Sequence, residues 1–167
     1  MNPRVVLVGP MGAGKTTIAG LLAEAWDAPV RDTDADVEAA EGRSISDIFV
    51  DDGEDHFRAL EAKAVAEALA AHDGVLALGG GAVLDPLTRE LLADQRVVFL
   101  RVGLSDAVKR VGLGVGRPLL LGNVRARIKA LLDERTPVYE SVATHVVETD
   151  GRTPDEIATE VRGLLDE

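Results

Sequence analysis

Arg4-Val5-Val6-Leu7-Val8-Gly9-Pro10-Met11-Gly12-Ala13-Gly14-Lys15-Thr16-Thr17-Ile18 is the stretch on which the fold turns. A continuous apolar run, a glycine-rich turn and the start of an amphipathic helix follow one another without a break, as they do where a buried parallel strand feeds a helix. Within it, Gly9, Gly14, Lys15 and Thr16 stand at the spacing of a phosphate-cradling loop. Each residue type has a physical reason. Glycine allows backbone angles that other residues resist and admits a ligand close to the chain. The amides of such a turn, at a helix N-terminus, form a nest for an anion. Lys15 adds a full positive charge able to reach β- and γ-phosphates, and Thr16 offers a hydroxyl to Mg²⁺.

Working outward, the next segment is Pro29-Val30-Arg31-Asp32-Thr33-Asp34, a short strand ending in two acids. Read as a strand, its alternation sends Asp32 and Asp34 to one side. One could then hold Mg²⁺ through water, and the other could accept a hydrogen bond or a proton from a hydroxyl. The competing reading is an N-cap cluster for the following helix. Ser44-Ile45-Ser46-Asp47 is a capped helix start, and Glu54–Ala71 is a strong helix with Phe57, Leu60, Ala64, Ala68 and Leu69 near one face. Arg58 and Glu61 are one turn apart on it, which as an exposed pair would contribute little.

Val75–Leu78 is a buried strand running into Gly79-Gly80-Gly81, whose bare backbone leaves amides open to a ligand. Asp85-Pro86 opens a helix, Arg96–Val102 is a strand, and Ser105 is the expected cap of the next helix. Residues 112–122 mix glycines with apolar residues around a single arginine, Arg117. That pattern suits a lid in which glycines absorb the hinge and Arg117 meets phosphate on closure. A helix capped by Asn123 is expected to end near Arg135, before Pro137. A last strand, Thr144–Thr149, and a helix from Thr153-Pro154 complete the chain.

Strands alternate with helices throughout, which predicts a mainly parallel sheet covered on both faces. Ligands gather at the carboxyl ends of such strands, and the phosphate loop, Asp34 and Gly79–Gly81 all fall at such ends. The 167 residues suit one domain, and the net charge of −11 disfavours nucleic acid as a partner. Anionic ligands must therefore be met by local cations. The chain lacks cysteine, which excludes disulfides and thiolate zinc sites. No apolar run is long enough to span a bilayer, the first strand begins almost at the N-terminus, and a cytoplasmic monomer is expected. A guanine-reading Asn-Lys-x-Asp motif is missing.

Taken together, these segments resemble the shikimate kinase family. The resemblance rests on Gly9–Thr16, Asp32-Thr33-Asp34, Gly42–Ile45 with Ile48-Phe49, Gly53-Glu54 with Phe57-Arg58 and Glu61, Leu78–Ala82, Arg117-Pro118-Leu119 and Arg135–Tyr139. It implies a three-layer α/β/α P-loop kinase fold with a five-stranded parallel sheet in the order 2-3-1-4-5. It also implies a helical substrate region over about residues 33–61 and a lid over about 112–123. The implied reaction is transfer of the ATP γ-phosphate to the 3-hydroxyl of shikimate, in the route to chorismate and aromatic amino acids. By the same resemblance Gly12, Ala13, Gly14, Lys15, Thr16 and Thr17 bind the ATP phosphates, and Thr16 with Asp32 holds Mg²⁺. Asp34 contacts the acceptor hydroxyl. Arg58 and Arg135 grip the carboxylate, with Gly79, Gly80 and Gly81 lining the site. Arg117 reaches the phosphates, and Arg110 and Arg152 lie near the adenine.

Overall fold

The computed structural model describes residues 3–115 and 121–165, with side chains outside 111–124. Five parallel strands, β1 (Val5–Val8), β2 (Val30–Asp32), β3 (Val75–Ala77), β4 (Val97–Arg101) and β5 (His145–Glu148), lie in the order β2-β3-β1-β4-β5. The implied strand order is therefore the observed one. The central strand β1 is buried along its whole length because both faces of the sheet are covered. Val5 and Leu7 pack beneath α1 (Lys15–Trp26) and α8 (Pro154–Leu165), while Val6 and Val8 face α4 (Glu54–Ala71) and α5 (Pro86–Leu92). Strand alternation thus divides the apolar residues into two cores.

A third, smaller core joins α2 (Thr33–Glu41), α3 (Ile45–Asp52) and α4 through Val37, Ile48, Phe57 and Ala64. Arg43 fastens this region by bonding Glu41 (3.1 Å), Asp51 (3.3 Å) and Asp52, so the turn between α2 and α3 is tied to the end of α3. Expected caps are present at Ser44 and Asp85, which accept from the amides of Asp47 and Thr88, and Thr153, at the expected start of the last helix, accepts from Glu156 N.

Several boundaries differ from expectation. β2 stops at Asp32, and Asp34 sits in the first turn of α2 rather than on a strand. Ser105 lies inside α6 (Leu104–Val115); the cap position falls to Gly103, whose carbonyl accepts from Ala107 and whose amide is held by Asp150. α6 continues through Gly112 and Gly114, and α7 (Leu121–Val142) begins ahead of Asn123. The expected lid is thus helical at both margins, and its residues 116–120, with Arg117, lie outside the described residues.

α7 also runs through Pro137 instead of ending before it. An interior proline costs about 3 kcal/mol. Burial beyond it offsets that cost: Tyr139 is fully buried with its ring 5.0 Å from that of Phe99, and Val138 and Val142 join the same core. The continuation matters for the site, because it keeps Arg135 and Tyr139 one turn apart on one helix face.

Candidate active site

The phosphate loop leaves β1 at Gly9 and enters α1 at Gly14. Gly12 and Gly14 adopt φ of 85° and 87°, left-handed conformations open mainly to glycine. No side chain caps α1 and no acid lies in its first turn. The first intrahelical bond runs from Ile18 N to Gly14 O (2.9 Å), so the amides of Lys15, Thr16 and Thr17 precede the helical ladder. The positive end of the helix dipole is therefore uncompensated where an anion would sit.

Lys15 closes this loop from within. Its Nζ donates to Gly9 O (2.6 Å) and Pro10 O (3.0 Å). Burial pulls its pKa down to about 8, with Asp34 and Asp32 opposing the fall and Arg135 adding to it. Behind the loop, Arg110 donates to Gly12 O (2.8 Å), Thr149 Oγ1 (3.3 Å) and Thr149 O (3.2 Å), joining the loop to the turn after β5.

Asp32 is the N-cap that the competing reading of its sequence offered, and it also meets Thr16. One carboxylate oxygen caps α2 by accepting from Asp34 N (2.9 Å) and Ala35 N (3.3 Å); the other accepts from Thr16 Oγ1 (3.3 Å). Asp34 comes near it because a helical turn begins there, not through strand alternation. Burial, then the neighbouring Asp32, raises the pKa of Asp34, and Lys15 opposes. The Asp34 carboxylate lies directly against Gly79, where an added Cβ would displace it.

Arg58 and Arg135 face the same glycine loop from two helices. The Arg58 guanidinium fills the space beside Gly81, with Nη2 only 2.6 Å from where a Cβ would stand. Its Nη1 is held by Glu61 Oε1 at 2.8 Å. That pair is not the exposed one expected: Glu61 is 3% exposed, and burial raises its pKa against the pull of Arg58. Arg135 Nη1 lies 3.7 Å from the Cβ position of Gly80. Its Nε is buried and, among the described residues, has no hydrogen-bond partner. A buried donor of this kind calls for an acceptor.

A cavity of about 610 Å³ collects these groups: Lys15, Thr16, Asp32, Asp34, Arg58 and Arg135 all line it, as do Gly12, Gly14, Thr17, Gly80 and Gly81. Ala13 is buried in the core beneath the loop, and Gly79 underlies Asp34. Arg152 lies elsewhere, bonded to Glu148 O (2.8 Å) and paired with Glu160 (2.6 Å). The cavity also has an apolar wall of Ile45, Phe49, Phe57 and Leu131; the first three fall within the expected substrate region 33–61, but sequence reading singles out none of them as a site residue. It also missed Glu61 as a site residue. The signal was present, since Glu61 falls on the apolar stripe of Phe57, Ala64 and Ala68, an unusual place for an unpaired carboxylate.

A phosphate loop with its lysine, facing two arginines and a half-buried aspartate across one small cleft, defines a P-loop kinase acting on a small acidic molecule. Comparison with known proteins narrows the class. The family model described as shikimate kinase matches residues 11–165. Relatives named shikimate kinase are 60% identical in Salinispora arenicola, covering 99% of both chains, and 58% identical in Thermobifida fusca, covering 94% and 91%. The solved shikimate kinase from Acinetobacter baumannii in complex with shikimate superposes with a TM-score of 0.90 at 34% identity, over 99% of this chain and 94% of that one. This chain belongs to the shikimate kinase family.

Proposed function

We propose that the protein transfers the γ-phosphate of ATP to the 3-hydroxyl of shikimate, giving shikimate 3-phosphate and ADP. The observation that carries this reading is the unpartnered, buried Arg135 Nε beside Arg58 on the Gly79–Gly81 backbone, in one cavity with Lys15. Two arginine forks suit a carboxylate, and a bare glycine backbone lets a ring approach closely. The apolar wall of Ile45, Phe49 and Phe57 excludes water from the transfer.

In this mechanism Lys15 leaves the Gly9 and Pro10 carbonyls for the β- and γ-phosphates, while the amides of Gly12–Thr17 cradle them. Arg58 and Arg135 fix the carboxylate, which turns the acceptor hydroxyl toward Asp34. Asp34 orients that hydroxyl and receives its proton late in an in-line transfer. Catalysis comes from positioning and from stabilising charge on the transferring group. Arg117 is assigned to the phosphates on the family pattern alone. Arg110, already bonded to the loop, and Arg152 are assigned to the adenine side on the same pattern.

The hydroxyl of Thr16 and the carboxylate of Asp32, 3.3 Å apart, are hard oxygen donors that suit Mg²⁺ bound partly through water and phosphate oxygens. When bound there, Mg²⁺ would neutralise charge on the phosphates. Among the described residues no cluster of three or more acidic, histidine or cysteine side chains is placed to hold a metal ion. We further propose a monomer as the working unit, acting in the cytoplasm where ATP is supplied. Among the described residues no helix is long and apolar enough to cross a membrane.

ADP release measured with shikimate, gluconate or AMP as acceptor tests the proposal. Shikimate should raise release by orders of magnitude over the background without acceptor. Equal rates with all three would overturn the assignment.

A further inference from the structure

The Gly79–Gly81 loop carries no side chains of its own, so something else must hold its shape. Two of its carbonyls are bonded locally: Gly79 O accepts from Ala82 N (3.1 Å) and Gly81 O from Leu84 N (3.1 Å). The remaining anchors are two buried hydroxyls from distant elements. Thr33 Oγ1, from the first turn of α2, accepts from Gly79 N at 3.2 Å. Tyr139 OH, from α7, donates to Gly80 O at 2.6 Å. Both residues are wholly buried. Among the described residues no partner meets the amides of Gly80 and Gly81, so the same segment keeps two donors in the cleft lining.

The two hydroxyls occupy telling positions. Thr33 directly precedes Asp34, whose carboxylate presses on Gly79. Tyr139 follows Arg135 by one helical turn, and Arg135 reaches over Gly80. The bonds therefore bracket Gly79 and Gly80, the two residues that separate the hydroxyl-orienting aspartate from one carboxylate-binding arginine. We propose that Thr33 and Tyr139 are positioning residues that hold the Gly79–Gly80 backbone as a spacer, fixing Asp34 and Arg135 at the separation one substrate ring requires. Neither needs to touch substrate. Tyr139 is anchored for the task by its packing on Phe99, and Thr33 by full burial at the start of α2.

This inference rests on the proposed shikimate reaction, and its test separates the two. Tyr139→Phe keeps the ring and removes the donor; Thr33→Val keeps the shape and removes the hydroxyl; Thr33→Ser restores a hydroxyl. Steady-state kinetics with shikimate and ATP varied separately should give a shikimate KM raised roughly 5- to 20-fold in Tyr139→Phe and Thr33→Val, the range expected for one lost hydrogen bond at a buried peptide group. The ATP KM should stay within about twofold, because the phosphate loop is untouched, and Thr33→Ser should recover most of the loss. Should Tyr139→Phe fail to fold, the Thr33 pair carries the test alone. An unchanged shikimate KM in the folded variants, or equal rises in both KM values, refutes the spacer while wild-type turnover of shikimate stands. A wild-type protein that ignores shikimate overturns the reaction and the spacer together.

Discussion

Lys15→Met should make the protein more stable and nearly inactive. The lysine is a buried ammonium whose pKa falls from 10.5 to about 8, chiefly through desolvation. At about 1.4 kcal/mol per pH unit, that fall means roughly 3 kcal/mol of folding free energy withheld by the charged form. Lys15 keeps part of its surface open to the cleft, so solvent screens some of this, and its bonds to Gly9 O and Pro10 O are lost in the variant. The net gain expected is about 1–2 kcal/mol, a rise of roughly 2–8 °C in Tm for a chain of this size. Urea unfolding without nucleotide reads it. The pH dependence fixes its cause. Below about pH 8 the folded and unfolded chains both hold the proton, and wild type bears the full penalty. Between about 8 and 10.5 the folded protein sheds the proton, its stability rises, and the advantage of the variant shrinks. Turnover should meanwhile drop at least ~10³-fold, by comparison with other phosphate-stabilising charges. A variant less stable than wild type at pH 7, or an advantage that grows with pH, would refute the reasoning.

Other consequences follow from the same geometry. Asp34→Asn should lower kcat by roughly 10²-fold or more. Burial raises the Asp34 pKa, so wild-type activity should fall on acidification at a pH above the ordinary aspartate range, and the variant should lose that limb of the profile. Gly81→Ala would push a methyl group into the Arg58 guanidinium, a flexible group able to move, so the fold should survive while the shikimate KM rises and the ATP KM does not. Gly74→Ala is the contrasting case. Its methyl group would strike the backbone of Pro29, whose carbonyl pairs with Val75 N, and a loss of about 1–3 kcal/mol should appear in thermal unfolding with kinetics little changed in the folded fraction.

Much of this molecule is legible along the chain because its signals are local. The phosphate loop declares itself through glycine spacing between an apolar run and a helix, and the caps at Ser44 and Asp85 work as read. Where reading along the chain failed, a tertiary contact had overruled a local rule. Pro137 should have ended its helix, but burial of Tyr139 beyond it carries the helix on. Asp32 and Asp34 share the cleft through the N-cap that the competing local reading offered, rather than through strand alternation. Glu61 looked like one half of a surface pair with Arg58, although its place on the apolar stripe of α4 signalled the burial that packing gives it. The hydroxyls of Thr33 and Tyr139 carry no sequence signal at all, since their partners are peptide groups 46 and 59 positions away.

The most direct test follows the phosphorus atom itself. With ATP, Mg²⁺ and shikimate, phosphorus NMR correlated to the ring protons should find the transferred phosphate coupled to the proton on carbon 3, formed in step with ADP. Phosphate released to water, or coupled to another ring position, would contradict the claim that Asp34, Arg58 and Arg135 hold one hydroxyl in line with the phosphate loop.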